Sequence, residues 1–302
     1  MKNIFAITVN YNRPDSTMKL LKSLGKIKAE GFKLSIIVVD NGTNSKFTLE
    51  DENKDVSVIR PGTNTGFSKG NNIGIQKAIE LGADYLMLIN NDTIADSELV
   101  INMLSTIKRD ERVGVVSPKI YFEKGAEFHK DRYSQKDLGH VIWFAGGLMD
   151  WENAKSIHRG VDEVDHGQYD KSEPIDFATG CCMLIKREVI EKVGLFDERY
   201  FLYYEDADLC LRVRRAGFDI VYAPSAFLYH ENASSSGSGS PLHDYFLTRN
   251  QMIFGMKYAP FNTRLALVRQ SLKLIQSGRP YQKRGIRDFY LRKYGKGSYF
   301  DK

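Results

Sequence analysis

The clearest chemical signal in the sequence is the stretch YLMLINNDT, from Tyr85 to Thr93. It begins as a short apolar run of the kind that forms a buried strand, and the run stops at Asn90, Asn91 and Asp92. Open α/β sheets bind ligands at the carboxyl ends of their strands, so the Asp92 carboxylate is predicted to lie at a ligand-binding edge. Mg²⁺ or Mn²⁺ bound there would neutralise a diphosphate. As an isolated sequence, Asn-Asn-Asp also fits an ordinary turn.

Polar residues follow two further predicted strands. Asn10, Tyr11, Asn12 and Arg13 come after the first strand, and Asp40 ends the second. These side chains could bracket a nucleobase, since Tyr11 can stack on a ring and Asp40 can accept from an imide N–H. Asp-Asn-Gly turns are common, so turn formation is the alternative interpretation of Asp40.

A glycine-rich segment, RPGTNTGFSKGNNIG, carries a glycine at every fourth position from 62 to 74. This spacing differs from that of a dinucleotide-binding loop, and the segment lacks the Lys-Ser or Lys-Thr of a P-loop. Gly70 and Gly74 would lie one turn apart on a helix and let its backbone approach the sheet closely. We then expect Asn64, Gly66 and Asn71 to face the ligand-binding edge, with a plain turn and packing segment as the alternative.

Three acids, Glu205, Asp206 and Asp208, cluster where a predicted helix begins. Crowded carboxylates raise one another's pKa, which suits a general base that accepts a hydroxyl proton. The structural alternative is that the helix dipole stabilises carboxylates in a first turn. Farther along, His230 follows an apolar run and could supply a metal ligand through a neutral ring nitrogen, although a lone histidine is more often structural.

The elements that position these residues follow an alternating pattern. Ile- and Val-rich runs predict strands at 4–9, 34–40, 56–60, 85–89 and 113–117, with helices at 17–24, 67–81 and 97–107 between them. Residues 119–175 predict antiparallel ribbon and loop, followed by a strand at 177–185, helices at 187–193 and 206–216, and a strand at 219–223. Strands alternating with helices predict an α/β fold whose parallel sheet is covered on both faces.

Composition predicts a globular protein, because 302 residues with 42% hydrophobic content can bury one large core or two modest ones. The first residues, MKNIFAITV, are too short for a signal sequence, and no segment approaches the length of a bilayer span. The three cysteines show no CxxC spacing and predict buried thiols in a reducing compartment. We therefore expect a cytoplasmic protein.

The C-terminal part of the chain is strongly basic. From Arg264 onward there are eleven Lys or Arg residues against two Asp. Such a tail predicts contact with an anionic surface, and membrane head groups at the inner face of the plasma membrane are the expected partner. A solvated helical face is the alternative. Nucleic acid is not expected, since no recognition motif accompanies the charge.

Together these motifs resemble glycosyltransferase family 2, and especially its rhamnosyltransferase-type members. The resemblance covers roughly residues 3–255 and is carried in order by NYNRP, VVDNGT, NTGFSKGNNIG, LMLINNDT, the segment from GCCMLIK to RRAGF, and His230. It implies a GT-A fold, which is a Rossmann-like, mostly parallel sheet flanked by helices, here followed by a C-terminal helical extension. The implied units are a domain at 1–255, with a nucleotide-binding half (1–118) and an acceptor and catalytic half (119–255), and a basic tail at 256–302.

The resemblance also implies roles for single residues. Asp40 matches the acid that contacts the base or ribose, and Asp92 matches the metal-binding acid of the Asp-x-Asp motif, whose first Asp is replaced here by Asn90. Asp206 matches the catalytic base, with Glu205 and Asp208 beside it, and His230 matches a histidine that completes the metal shell in some relatives. The processive synthases' Gln-x-x-Arg-Trp motif is represented only by LTRNQ at 247–251, where Arg249 is expected to contact the diphosphate. The other expected donor-binding residues are Asn10, Tyr11, Asn12, Arg13, Asn64, Gly66, Asn71 and Asn91.

The implied reaction is a metal-dependent, inverting transfer of a sugar. Mn²⁺ or Mg²⁺ is the expected cofactor, dTDP-rhamnose the expected donor with UDP-hexoses as the alternative, and a glycan or polyprenyl-linked hydroxyl the expected acceptor in cell-surface polysaccharide synthesis. A nucleotidyltransferase would instead need a basic, glycine-rich loop after the first strand. A catalytically silent nucleotide- or glycan-binding module remains the other alternative. The SSSGSGS segment at 234–240 predicts either a lid or an inert tether.

Overall fold

The computed structural model describes residues 1–42, 47–48, 55–231 and 239–301. The first elements are β1 (Lys2–Asn10), α1 (Pro14–Leu24), β2 (Phe32–Asp40), β3 (Val56–Ile59), α2 (Gly66–Glu80), β4 (Tyr85–Ile89), β5 (Thr93–Ala95), α3 (Leu99–Ile107) and β6 (Val113–Phe122). They are followed by β7 (Ile142–Phe144), β8 (Gly147–Asp150), β9 (Lys155–His158), β10 (Glu173–Pro174), β11 (Cys182–Lys186), α4 (Arg187–Val193), α5 (Glu205–Arg215), β12 (Asp219–His230), α6 (Pro241–Tyr258), α7 (Phe261–Ser277) and α8 (Pro280–Tyr290). Residues 234–238 of the predicted lid or tether at 234–240 lie outside the described residues.

The central sheet has the strand order β10-β12-β6-β11-β4-β1-β2-β3. Strands β4, β1, β2 and β3 run parallel, as do β6 and β12, while β11 lies antiparallel between the two groups. Every residue of β4 is buried, which is typical of a strand covered on both faces. The predicted α/β fold with a mostly parallel central sheet is confirmed. Because Asn10 pairs with Asp40 in the β1–β2 register, the polar ends of these strands lie side by side.

Helix α2 approaches β1 as closely as its glycines predict. A Cβ atom built on Gly74 would lie 2.3 Å from Ile7 Cγ2, and one built on Gly70 would lie 3.1 Å from Val9. Any side chain at Gly74 would therefore force the helix away from the sheet. Gly70 and Gly74 therefore determine how closely α2 packs against β1.

Two strands extend beyond their predicted ends. The predicted strand ends are 117 and 223, and each is followed directly by a proline, a residue that removes a ladder donor. Instead β6 and β12 continue to Phe122 and His230, past an irregularity in pairing between Ala223 and Phe227. The extension carries His230 to the sheet edge. Conversely, β11 begins at Cys182 rather than near Phe177, and the residues before it form a loop.

The C-terminal helices pack against the rest of the chain. A Cβ on Gly285 in α8 would lie 2.6 Å from the Tyr245 carbonyl oxygen in α6, and Thr263 in α7 donates to the Trp151 carbonyl oxygen at 2.9 Å. The predicted boundaries at 118/119 and 255/256 fall inside β6 and α6. No helix in the described ranges combines the length and hydropathy that crossing a membrane requires.

Candidate active site

A chain of hydrogen bonds joins the ends of three neighbouring strands. The Asn91 amide donates to the Thr17 hydroxyl at 3.1 Å. That hydroxyl donates in turn to Asn10 Oδ1 at 3.0 Å, and Asn10 Nδ2 donates to Asp40 Oδ1 at 2.8 Å. The second oxygen of Asp40 accepts from the Phe47 backbone N–H at 2.9 Å. Because each group is held by the next, the ends of β4, β1 and β2 form a preorganised polar edge.

Three predicted donor-binding residues form the turn after β1. Tyr11 is exposed and Arg13 is half-buried, whereas Asn12 has a φ of 54°, a left-handed conformation that Asn tolerates better than most residues. The Arg13 backbone N–H donates to Asn10 Oδ1 at 3.2 Å and closes the turn. Tyr11 therefore lies in a closed turn at the polar edge, where the sequence predicts a surface for stacking.

The glycine-rich loop is fastened to the end of β2 by Asn41, a residue that sequence analysis did not single out. Asn41 Nδ2 donates to the Gly66 carbonyl oxygen at 3.0 Å, and its Oδ1 accepts from the Thr65 N–H at 2.9 Å. Asn64 Oδ1 accepts from the Gly66 N–H at 3.0 Å, so both predicted residues belong to the turn that starts α2. Asn71 is buried, and its amide donates to a carbonyl oxygen of its own helix at 3.0 Å.

Asp92 and His230 meet where β12 ends beside β5. His230 Nε2 lies 3.2 Å from Asp92 Oδ1. Burial alone would raise the pKa of Asp92, but the charge and hydrogen bond of the facing imidazole hold that pKa below its usual range. His230 is buried, its ring centroid lies 4.7 Å from that of Trp143, and its Nδ1 has no hydrogen-bond partner among the described residues. A carboxylate and an imidazole therefore share one largely enclosed position.

This pair fits part of a divalent-metal site. Carboxylate oxygen suits Mg²⁺ and Mn²⁺, and His230 Nε2, which faces Asp92 Oδ1 at 3.2 Å, is a suitable companion ligand for the softer of the two. Within the described ranges, no group of three or more His, Cys, Asp and Glu side chains is placed to hold a metal. Two protein ligands alone would leave most of a coordination shell to oxygen atoms of a bound phosphate group and water.

The acids at the start of α5 divide into one accessible and two buried carboxylates. Asp206 is half-buried, whereas Glu205 and Asp208 are 4% and 0% exposed. Asp206 Oδ2 accepts from the Gly180 N–H at 2.9 Å, and Oδ1 accepts from the Ala207 N–H at 2.8 Å. Burial raises the pKa of Asp206 despite these two bonds, which favour the ionised form. Of the three, Asp206 is the acid that an incoming group can reach.

The other two acids are enclosed in different ways. Burial, followed by the neighbouring Asp206 charge, raises the pKa of Glu205, and Glu205 Oε2 has no hydrogen-bond partner in the described part of the chain. Asp208 is fully paired instead. Lys257 Nζ and the Tyr258 hydroxyl each lie 2.7 Å from Asp208 Oδ1, and Arg212 Nε lies 2.8 Å from Oδ2. These contacts fasten α5 to α6, which is a structural function for Asp208.

The loop before α5 is strained and is held in place by α6. Phe201, Tyr203 and Tyr204 have φ values of 66°, 70° and 74°, a region that is costly for bulky residues. Asn250 Nδ2 faces three carbonyl oxygens of this loop at 2.7 to 2.9 Å. Arg249 is fully buried, and its Nη2 donates to two carbonyl oxygens at the start of the loop at 3.2 and 2.9 Å. The structure thus places Arg249 inside the protein as a support for the loop that precedes Asp206.

Asp92 and Asp206 lie at the same edge of the sheet, although they are far apart in the chain. The Asn90 N–H donates to the Cys181 carbonyl oxygen at 2.8 Å, and the adjacent Gly180 donates its N–H to Asp206. Gly180 and Cys181 therefore connect the segment that contains Asp92 to the start of α5, where Asp206 lies. The arrangement can hold a divalent cation at Asp92, and through it an anionic ligand, and can accept a proton at Asp206. Sequence analysis did not identify Gly180, because nothing in a single glycine indicates that its N–H orients a distant carboxylate.

Three similar curated proteins are named as sugar transferases. The low-salt glycan biosynthesis hexosyltransferase Agl10 of Haloferax volcanii is 26% identical over 221 residues, which cover 73% of this chain and 64% of that protein. The dTDP-rhamnosyl transferase RfbF of Shigella flexneri is 28% identical over 264 residues, covering 83% and 79%. The N-acetylglucosaminyl-diphospho-decaprenol L-rhamnosyltransferase of Mycobacterium tuberculosis is 25% identical over 247 residues, covering 78% of each chain.

Solved structures of sugar transferases share the fold. GalNAc-T7 with UDP, GalNAc and Mn²⁺ aligns with a TM-score of 0.57 at 14% identity, covering 96% of this chain and 58% of that one. The mannosyltransferase PcManGT of Pyrobaculum calidifontis with GDP-Man and Mn²⁺ aligns with a TM-score of 0.52 at 12% identity, covering 96% and 74%. At these identities the likeness establishes the fold alone, and it confirms the GT-A prediction.

The family itself is established by a match over most of the sequence. The model of the family described as "Glycosyltransferase like family 2" matches residues 3–251. These residues include the polar strand ends, the Asp92–His230 pair, Asp206 and the supporting residues Arg249 and Asn250. The chain therefore belongs to glycosyltransferase family 2 and is similar to its rhamnosyltransferase-named members.

Proposed function

We propose that the protein transfers a sugar from a nucleoside-diphosphate donor to an acceptor hydroxyl by single displacement, with inversion at the anomeric carbon. The observation that carries the proposal is the accessibility of Asp206 at the edge that also contains the buried Asp40 and the Asp92–His230 pair. An accessible base beside a preorganised polar edge with a candidate cation site is what transfer from a diphosphate donor requires. A silent binding module would have no need to keep Asp206 accessible with a raised pKa.

In the proposed reaction, Asp206 accepts the proton of the acceptor hydroxyl as that oxygen bonds to the anomeric carbon. The bond from the anomeric carbon to the diphosphate breaks in the same step, and its electron pair leaves with the diphosphate oxygen. The N–H groups of Gly180 and Ala207 keep the Asp206 carboxylate oriented. Asp40 and Tyr11 would bind the base and ribose. Asp92 and His230 would hold a divalent cation, whose charge favours departure of the diphosphate.

The names of the relatives suggest the substrates. Two of the three are named for rhamnosyl transfer, and one of these names specifies dTDP. We therefore favour dTDP-rhamnose as the donor, with a UDP-hexose as the alternative. A decaprenol-linked sugar in one name supports a glycan or polyprenyl-linked acceptor in cell-surface polysaccharide synthesis. Such an acceptor would place the reaction at the inner face of the plasma membrane.

The test compares Asp206→Asn with the wild-type protein and with Asp131→Asn, which changes an exposed acid. Loss of the base should reduce kcat by about 100-fold or more while the dissociation constant for dTDP or UDP stays unchanged. Nucleotide binding is measured by thermal shift with and without Mn²⁺, where a ligand at 100 times its Kd stabilises by about 2.7 kcal/mol. Equal loss of binding and turnover in Asp206→Asn would contradict the assignment of the base.

A further inference from the structure

Helix α7 exposes an apolar stripe that the fold leaves uncovered. Phe261, Leu265, Leu272 and Ile275 are 71%, 42%, 55% and 44% exposed, and the half-buried Val268 lies between them. We call these five residues the α7 stripe. Their spacing of four, three, four and three positions places them on one side of a helix. Isolated exposed apolar residues are common, but a continuous row of five marks a surface that another apolar phase covers.

The stripe is not the face by which α7 packs onto the protein. That face consists of Thr263, Leu267 and Ser271, which are all buried. A Cβ built on Gly255 of α6 would lie 2.2 Å from Leu267, which shows how closely the two helices approach. These buried residues therefore account for the packing of α7 onto the protein, and the α7 stripe takes no part in that packing.

The charges around the stripe have one sign. Helix α7 contains Arg264, Arg269 and Lys273 and no Asp or Glu. Arg269 and Lys273 are exposed, and neither forms an ion pair with the described residues. The next helix adds Lys283, Arg284 and Arg287, which with Pro280 line a shallow cavity of about 460 Å³. An exposed apolar row beside the unpaired Arg269 and Lys273 matches the chemistry of an anionic lipid surface, where acyl chains lie below phosphate groups.

We propose that α7 lies in the head-group region of an anionic membrane, with the α7 stripe inserted and Arg269 and Lys273 at the phosphates. A second copy of this chain is disfavoured as the occupant, because pairing two α7 helices along the stripe would bring like charges together without an acid on either α7 helix to offset them. The helix is about 25 Å long, enough to give the protein a fixed orientation on the surface. The proposed function explains why such an orientation is useful, since a polyprenyl-linked acceptor stays in the bilayer, but binding itself requires no nucleotide or acceptor.

The test is sedimentation of the full-length protein with phosphatidylcholine vesicles that contain or lack phosphatidylglycerol. Two double variants are compared, Leu265→Gln with Leu272→Gln and Arg269→Gln with Lys273→Gln. Leu81→Gln is the matched control, because Leu81 is 48% exposed but lies outside the C-terminal helices. The wild-type protein and the control should bind phosphatidylglycerol vesicles at low salt, and each double variant should lower the partition coefficient at least about tenfold. Added salt should weaken wild-type binding.

Several results would overturn the proposal. One is a wild-type protein that does not bind either kind of vesicle, and another is binding that the leucine double variant leaves unchanged. Light scattering supplies a third: a wild-type dimer that the leucine variant converts to monomer would show that a second copy covers the stripe. Transfer to a soluble acceptor is measured separately, so failure of vesicle binding leaves the proposed transferase activity intact, and an inactive enzyme leaves the membrane result intact.

Discussion

The neighbouring acids Glu205 and Asp206 at the start of α5 differ in their exposure to solvent. Asp206 is half-buried and its oxygens accept two backbone N–H bonds, whereas Glu205 is buried with one oxygen unpartnered among the described residues. A buried carboxylate without partners is costly when ionised, so Glu205 is expected to destabilise the fold at neutral pH. The neighbouring Asp206 charge adds to the rise that burial causes in the pKa of Glu205, whereas the pKa of Asp206 is raised by burial.

Replacing Glu205 with Gln should therefore stabilise the protein in a pH-dependent way. The pKa of Glu205 is raised by folding, so the folded state favours the protonated form. The contribution of this pKa shift to the free energy of unfolding is fully present below the unfolded-state pKa of about 4.3, and it is lost as pH rises through the folded-state pKa. At about pH 8, Glu205→Gln should raise the free energy of unfolding by roughly 1–3 kcal/mol, and near pH 4 the gain should vanish. Denaturant unfolding at both pH values measures it, with the exposed Glu152→Gln as control. A gain that does not depend on pH would contradict the burial argument.

At the scale of elements, α6 holds the loop before α5 in a conformation that the loop would not adopt alone; we call it the catalytic loop because it precedes the proposed base, Asp206. Three aromatic residues with positive φ cost free energy that local sequence does not recover. The hydrogen bonds from Asn250 and Arg249 satisfy the carbonyl oxygens that this conformation turns inward. The position of Asp206 therefore depends on two residues of α6, Arg249 and Asn250, that lie more than forty positions later in the sequence.

Asn250→Ala should separate catalysis from binding. Without the amide, three loop carbonyl oxygens lose a donor, and the free energy of unfolding should fall by roughly 1–3 kcal/mol. Because Asp206 is then less well positioned, kcat should fall at least about tenfold, with the nucleotide Kd unchanged. Gln251→Ala is the control, since Gln251 donates only to the Asn153 carbonyl oxygen and should change stability by less than about 0.5 kcal/mol. If both variants kept wild-type kcat, the loop would not depend on α6 for its catalytic conformation.

The contrast between these elements explains what the sequence could predict. Apolar runs predicted β1 and β4, and the spacing of the glycines predicted the close approach of α2 to the sheet, because local residues determine both features. The left-handed aromatics before α5 have no local signature, since their conformation is imposed by Asn250. Arg249 was expected at the diphosphate because an arginine near a family motif suggests an anion, whereas its burial depends on tertiary packing.

At the scale of the whole molecule, the C-terminal segment packs against α6, the helix that supports the catalytic loop. The Tyr245 hydroxyl donates to Asp288 at 2.5 Å, and the Ser298 N–H donates to the same carboxylate at 2.8 Å. The Phe300 ring centroid lies 6.0 Å from that of Phe201 in the strained loop. The segment predicted as a basic tail is thus packed against α6 and the catalytic loop, and its charges lie on the outside of helices that also serve the site.

This packing predicts different effects for two glycines of similar conformation. Gly295 and Gly297 have φ values of 60° and 56°, so alanine at either position costs about 1–2 kcal/mol of backbone strain. A Cβ at Gly297 would also lie 2.0 Å from the Tyr245 hydroxyl and 2.7 Å from Arg249 Nη1, whereas at Gly295 the nearest atom is a carbonyl oxygen at 3.6 Å. Gly297→Ala should therefore lose roughly 1–3 kcal/mol more stability than Gly295→Ala. It should also lower kcat, because Arg249 supports the loop before Asp206. Denaturant unfolding and kcat of both variants test this, and equal losses would show that the C-terminal segment does not press on the support of the catalytic loop.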